Sequence, residues 1–170
     1  YGLPVVALRF FNVYGPRQSL SNPYTGVTAI FLSRVKNNRP PVVYEDGWQT
    51  RDFIWVGDVV RACVRCLESE RADYQVFNVG TGKPVAIREM AEMVIKLLKK
   101  KLKPEITYSF RKGDVRHCYA DTTRIHQCLG FTVRTSLEQG LRRLASWARK
   151  APAEDRFEQA ARELKEKGLT

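Results

Sequence analysis

The chain has 170 residues, of which 44% are apolar, and a formal net charge of +11. That length and composition suit a globular domain with a packed core and exclude a disordered or fibrous chain. No apolar run reaches the ~20 residues of a membrane helix, and the excess of positive charge points toward anions: phosphates, nucleotides or nucleic acid.

The first residue is Tyr1, with neither an initiating Met nor a signal-like segment, so the expectation is a piece of a longer polypeptide. Pro4 to Phe11 reads as a buried strand, near-continuously apolar and stopped at Asn12, with a Tyr-Gly-Pro turn directly after it. A loop rich in Ser, Asn and Pro leads to a helical stretch, "GVTAIFLSRVKNN", which ends before Arg39-Pro40-Pro41. "PVVYEDG" is a short strand running into an Asp-Gly turn. "RDFIWVGD" is extended, and Asp58 is placed to cap a helix from Val59 to Ser69. "YQVFNVGTG" is a strand ending in a glycine turn, followed by an amphipathic helix from Ile87 to about Leu102. "PEITYSF" is a further strand. Two helices follow, one capped by Asp121 and closed by Gly130, the other capped by Ser136. The stretch from Ala153 to Lys167 is charged and helical, with Phe157, Ala160, Ala161 and Leu164 on one face. Strands alternating with helices give an α/β chain of parallel-sheet type.

Of the four cysteines, Cys63 and Cys66 fall mid-helix, while Cys118 and Cys128 stand near His117 and His126. Zinc knuckles place their ligands in tight turns, so buried thiols are the simpler reading. Nothing resembles a secreted disulfide framework, and the cytoplasm is the expected location. The run Lys99, Lys100, Lys101 and Lys103 reads as a solvated helix end, and no nucleic-acid recognition motif accompanies the charge.

In an open α/β sheet, ligands sit at the carboxyl ends of strands. Asn12 stands at such an end, where an amide can donate to a phosphate or sugar oxygen or can hold the following turn. Arg51 is a planar fork suited to phosphate, or the partner of the adjacent Asp52 in a plain ion pair. Tyr44 could stack on a nucleobase or pack in the core. Arg111 and Asp114 flank a glycine turn and could serve a phosphate and sugar hydroxyls. Two suggestive patterns fail. "VFNVGTG" lacks the third glycine of a dinucleotide fingerprint, where Val85 stands instead. Tyr108 and Lys112 match a Tyr-x-x-x-Lys pair, but on extended chain they would stand about 13 Å apart, too far for one to tune the other.

Taken in order, "LRFFNVYGPRQ", "GWQTRDFIWVGDVV", "VFNVGTGKPVAIREM" and "RKGDVRHCYAD" resemble the carboxyl-terminal half of an extended short-chain dehydrogenase/reductase, in the nucleotide-sugar epimerase and dehydratase family. The pattern is most similar to members of the dTDP-L-rhamnose 4-epimerase and UDP-glucose 4-epimerase types. The resemblance implies the last strands of a Rossmann-type parallel sheet plus the small mixed α/β substrate-binding domain. Residues 1–20 would supply the Rossmann strand and turn, 21–150 mainly the nucleotide-sugar-binding part, and 151–170 a charged terminal helix. It implies NAD as cofactor, contacted near Phe10 and Phe11, and a dTDP- or UDP-sugar as substrate. Asn12, Arg51 and Arg111 would face the diphosphate, Val42 and Tyr44 the base, Asp114 the ribose, and the Val85-Ala86 backbone the nucleotide pocket. Thr25 stands where many relatives have Asn ahead of the substrate helix, and Cys118 where galactose epimerases have Tyr.

The family's glycine-rich loop and its catalytic Ser/Thr, Tyr and Lys would lie upstream of the equivalent of Tyr1. The expectation is therefore a binding half that does not turn over alone, homodimeric when intact, with no nucleic-acid or membrane partner. The intact reaction would be oxidation at C4 of the sugar, rotation of the 4-keto intermediate and re-reduction, with 4,6-dehydration as the alternative. A binding-only module and a basic nucleic-acid domain are the rivals from other classes.

Overall fold

In the computed structural model, residues 2–22, 26–110 and 112–168 are described. The strands are β1 (Ala7–Phe10), β2 (Asn12–Tyr14), β3 (Val42–Val43), β4 (Thr50–Arg51), β5 (Phe53–Trp55), β6 (Val76–Val79), β7 (Val85–Ala86), β8 (Glu105–Ile106) and β9 (His117–Cys118). The helices are α1 (Val27–Lys36), α2 (Val56–Leu67), α3 (Ile87–Leu97), α4 (Thr123–Leu129), α5 (Leu137–Ala148) and α6 (Phe157–Glu166). Parallel pairs join β1 to β6, β2 to β5, β3 to β8 and β4 to β9, and β4 pairs antiparallel with β7. The result is a parallel α/β arrangement with a small mixed sheet beside it.

Strand β5 divides the interior. Side chains alternate across a strand, so Phe53 and Trp55 enter one core with α1, α3 and α5, while Ile54 enters a second with α2, β6 and α4. Tyr14 joins the first core, and its hydroxyl donates to Leu137 O at 3.3 Å. Burial, and then the nearby Asp58 carboxylate, push the Tyr14 phenol well above its usual range, so it stays a protonated donor.

Several expectations need correction. The segment read as a buried strand ends as a short β1 with Ala7, Arg9 and Phe10 exposed, because β6 is its one strand partner among the described residues. Asn12 does not stop the extended chain, which resumes as β2 against β5. Helix α2 begins at Val56, earlier than the sequence suggested, so Asp58 sits inside its first turn. There Asp58 is buried, paired with Arg61, and accepts from Arg134 N and Thr135 N at 3.1 Å each. Burial opposes that charge, but these bonds outweigh it and hold the carboxyl below its usual range. Helix α3 ends at Leu97, with Lys99 left-handed at φ 54. The α4 cap is Thr122, while Asp121 accepts from Thr123 N at 2.9 Å. Ser136 caps α5 as expected, accepting from Gln139 N. Cys66 is buried but Cys118 is exposed. Among the described residues no helix is long and apolar enough to cross a membrane.

Candidate functional site

A cavity of about 260 Å³ opens between α1, the β3 and β4 ends, the 112–116 turn and α6. Asn12, Val42, Tyr44, Arg51 and Asp114 all line it, together with Gly26, Val27, Ile30, Phe31, Gln49 and Ile87. Residues spread over a hundred positions of sequence thus meet in one cleft, with Asn12, Gln49, Arg51 and Asp114 as its polar side chains and a mainly apolar remainder.

Each polar residue is placed by strand geometry. Asn12 opens β2 opposite Phe53, and its backbone N donates to Asp52 O at 2.9 Å. Arg51 ends β4 between Val85 on one side and Cys118 on the other. Its Nη1 donates to Thr50 O at 2.8 Å and Arg116 O at 3.2 Å, and its Nη2 pairs with Asp114 Oδ1 at 2.5 Å. A guanidinium has five N–H donors, so these acceptors leave capacity for a further anion. The Arg51 side chain is 14% exposed, which limits how far water weakens such a bond.

Asp52 takes no part in an Arg51 pair. It is fully buried, and its carboxylate accepts from Thr81 N, Gly82 N and Ala120 N at 2.8 to 3.1 Å. It ties the β6–β7 turn and the approach to α4 onto the back of the strand that carries Arg51. Behind Tyr44, Gln49 Nε2 donates to Tyr44 O at 2.8 Å, fixing the carbonyl at the end of β3. Glu45 then turns with a left-handed φ of 53, and Arg116 clamps Glu45 and Asp46 at 2.7 Å each. Arg116 stands first among the causes that hold the Asp46 carboxyl below its usual range.

Other expected residues fall elsewhere. Val85 faces a separate cavity of about 500 Å³, lined also by Lys83, His126 and Arg134, and Ala86 is buried behind β4. Phe10 and Phe11 lie outside the cleft at the carboxyl end of β1. Phe10 is 50% exposed. Phe11 has both backbone groups engaged, its N–H with Val79 O and its C=O with Val13 N. The Phe11 carbonyl keeps a second lone pair for a further donor, so the chain end at Phe10 and Phe11 keeps both an exposed ring and a backbone acceptor with which to border a ligand. Thr25 and Arg111 lie outside the described residues, as does the side chain of Leu164. Tyr108 is exposed and off any helix. Gln49, Phe31 and the α6 residues were not anticipated. Gln49 precedes Arg51 by two, so strand alternation alone puts both on one face.

Residues 1–144 match the family model described as GDP-mannose 4,6 dehydratase. The chain belongs to the nucleotide-sugar epimerase and dehydratase family. It is 38% identical over 144 residues to dTDP-L-rhamnose 4-epimerase of Burkholderia thailandensis, covering 85% of this chain and 39% of that protein. The solved UDP-glucose 4-epimerase of Thermotoga maritima, with UDP-glucose, superposes with a TM-score of 0.81 at 37% identity, over 88% of this chain and 47% of that one. The UDP-glucuronic acid 4-epimerase of Bacillus cereus, in complex with UDP-glucuronic acid and NAD, gives 0.77 at 28% identity, over 87% and 46%. The chain therefore spans less than half the length of these relatives.

Proposed function

We propose that this chain is the nucleotide-sugar-binding half of an NAD-dependent nucleotide-sugar 4-epimerase. The observation that carries the reading is the single cleft in which Asn12, Val42, Tyr44, Arg51 and Asp114 converge. The relatives named for UDP-sugars and a dTDP-sugar support the substrate class. In this reading Arg51 and Asn12 donate to the diphosphate, the Tyr44–Val42 strand end borders the base, and Asp114 accepts from ribose hydroxyls. Charge-assisted bonds in a partly dry cleft are the strong ones. Binding energy gathered on the nucleotide handle, remote from the reacting carbon, is what positions C4 of the sugar. NAD would supply hydride acceptance and return at C4; Phe10 and Phe11 are the residues of this chain that would border it. The chain alone binds and does not turn over.

A thermal-shift panel of UDP, dTDP and GDP on the chain, with Arg51→Met beside it, tests this. A pyrimidine diphosphate raises the unfolding temperature of the native chain, and Arg51→Met loses most of that rise. No response to any nucleotide, or an undiminished response in Arg51→Met, contradicts it.

A further inference from the structure

The cleft has a wall that the family match does not cover. The match ends at residue 144, whereas Phe157, Ala160 and Ala161 of α6 line the same cavity as Arg51 and Tyr44. Helix α6 is held there by specific contacts. Arg34 of α1 is buried at 3% exposure and donates through Nε to Pro40 O at 2.7 Å. Its Nη1 pairs with Glu158 at 3.0 Å and approaches Asp155 at 3.6 Å. The same guanidinium lies 4.4 Å from the centre of the Phe157 ring, covering one face of it. Leading into the helix, Asn37 Nδ2 donates to Ala153 O at 2.8 Å, and Glu154 N donates to Ser21 Oγ at 2.9 Å. A buried guanidinium is tolerated only where paired, so the docked position of α6 and the burial of Arg34 are one arrangement.

What α6 brings to the cleft is apolar: one aromatic ring and two methyl groups. Asn12, Arg51 and Asp114 already supply the polar side. An apolar wall with an aromatic ring complements the flat, weakly hydrated part of a nucleotide, its base, and does nothing for phosphate. Small side chains at Ala160 and Ala161 keep the room for it.

We propose that α6 completes the nucleotide cleft and that Phe157 contacts the bound base, making it a determinant of affinity for the nucleoside part of the ligand. This rests on the nucleotide reading of the cleft. Calorimetric titration of the full chain with UDP and, separately, with inorganic pyrophosphate tests it. In Phe157→Ala, UDP affinity falls roughly five- to a hundredfold, the scale of a base–aromatic contact, while pyrophosphate affinity stays within about twofold. Ala161→Leu keeps helix propensity and pushes bulk into the cavity; it also weakens UDP and spares pyrophosphate, and it guards against loss of α6 docking in the first variant. Unchanged or tighter UDP binding in both variants overturns the proposal, as does an equal loss for both ligands. A native chain that binds neither ligand refutes the nucleotide reading itself, and the α6 role falls with it.

Discussion

Arg51 and Asp114 make opposite demands on the cleft. Their ion pair stabilises the guanidinium in a partly buried place, yet a carboxylate beside a phosphate is repulsive. Asp114 therefore has to accept from hydroxyls for a nucleotide to gain by its presence. This separates the ligand's parts: Asp114→Asn is expected to bind pyrophosphate several-fold more tightly and UDP no more tightly than the native chain does, measured by titration calorimetry. A UDP affinity that rises as much as that for pyrophosphate removes the ribose role. Asn12, Tyr44 and Arg51 were named from strand-end chemistry together with the family resemblance, and the structure brings all three to one cleft. The inward role of Asp52 was not legible. Its neighbour Arg51 suggested an ion pair, but consecutive strand residues face opposite sides, and Asp52 turns inward to the Thr81–Gly82 turn and Ala120. The Arg51–Asp114 pair spans 63 positions, a distance no local pattern reports.

At the scale of elements, helix periodicity carried α1, α2, α3, α5 and α6, whose apolar faces are read directly. Their ends were less readable. The lysines after Leu98 continue a helical composition, and only the left-handed turn at Lys99 stops it. Strands were overextended: the stretch containing β8 pairs over just Glu105–Ile106, matched to the equally short β3. Pairing partners, not propensity, limit a strand. A close approach between elements was also hidden. A Cβ on Gly140 of α5 would stand 2.1 Å from the Tyr14 hydroxyl oxygen and 2.8 Å from its ring, so glycine inside a helix, ordinarily a cost, here admits Tyr14 to the core. Gly140→Ala is expected to destabilise the chain by about 1–3 kcal/mol in chemical denaturation. Tyr14→Phe should recover part of that loss in the double variant, as neighbouring substitutions couple. A stabilised or neutral Gly140→Ala would show that the α5–β2 contact is loose.

Over the whole molecule, the fold class followed from the alternation of strands and helices, and the exposure of its first strand from the resemblance to part of the family's sheet, which leaves that strand an open pairing edge. Leu3, Val5, Phe10 and Val76 are exposed apolar residues in and beside β1 and β6. Such a strand is a pairing template. The isolated chain is expected to self-associate through it at micromolar concentration and to bind a hydrophobic dye. Replacing Val5 and Phe10 by Glu should lower both, as followed by light scattering and fluorescence. A clean monomer with no dye binding would assign that region no role in association. The charge of +11 is likewise a property of the whole chain; it favours encounter with anionic ligands without saying where they bind.

The most direct test is where UDP touches the chain. Backbone amide chemical shifts, recorded during titration with UDP, are expected to move together at Asn12, Tyr44, Arg51, Asp114 and the α6 residues lining the cavity, with little change along α4. Shifts confined to other surfaces, or none at millimolar UDP, would contradict the convergence of these residues on one nucleotide.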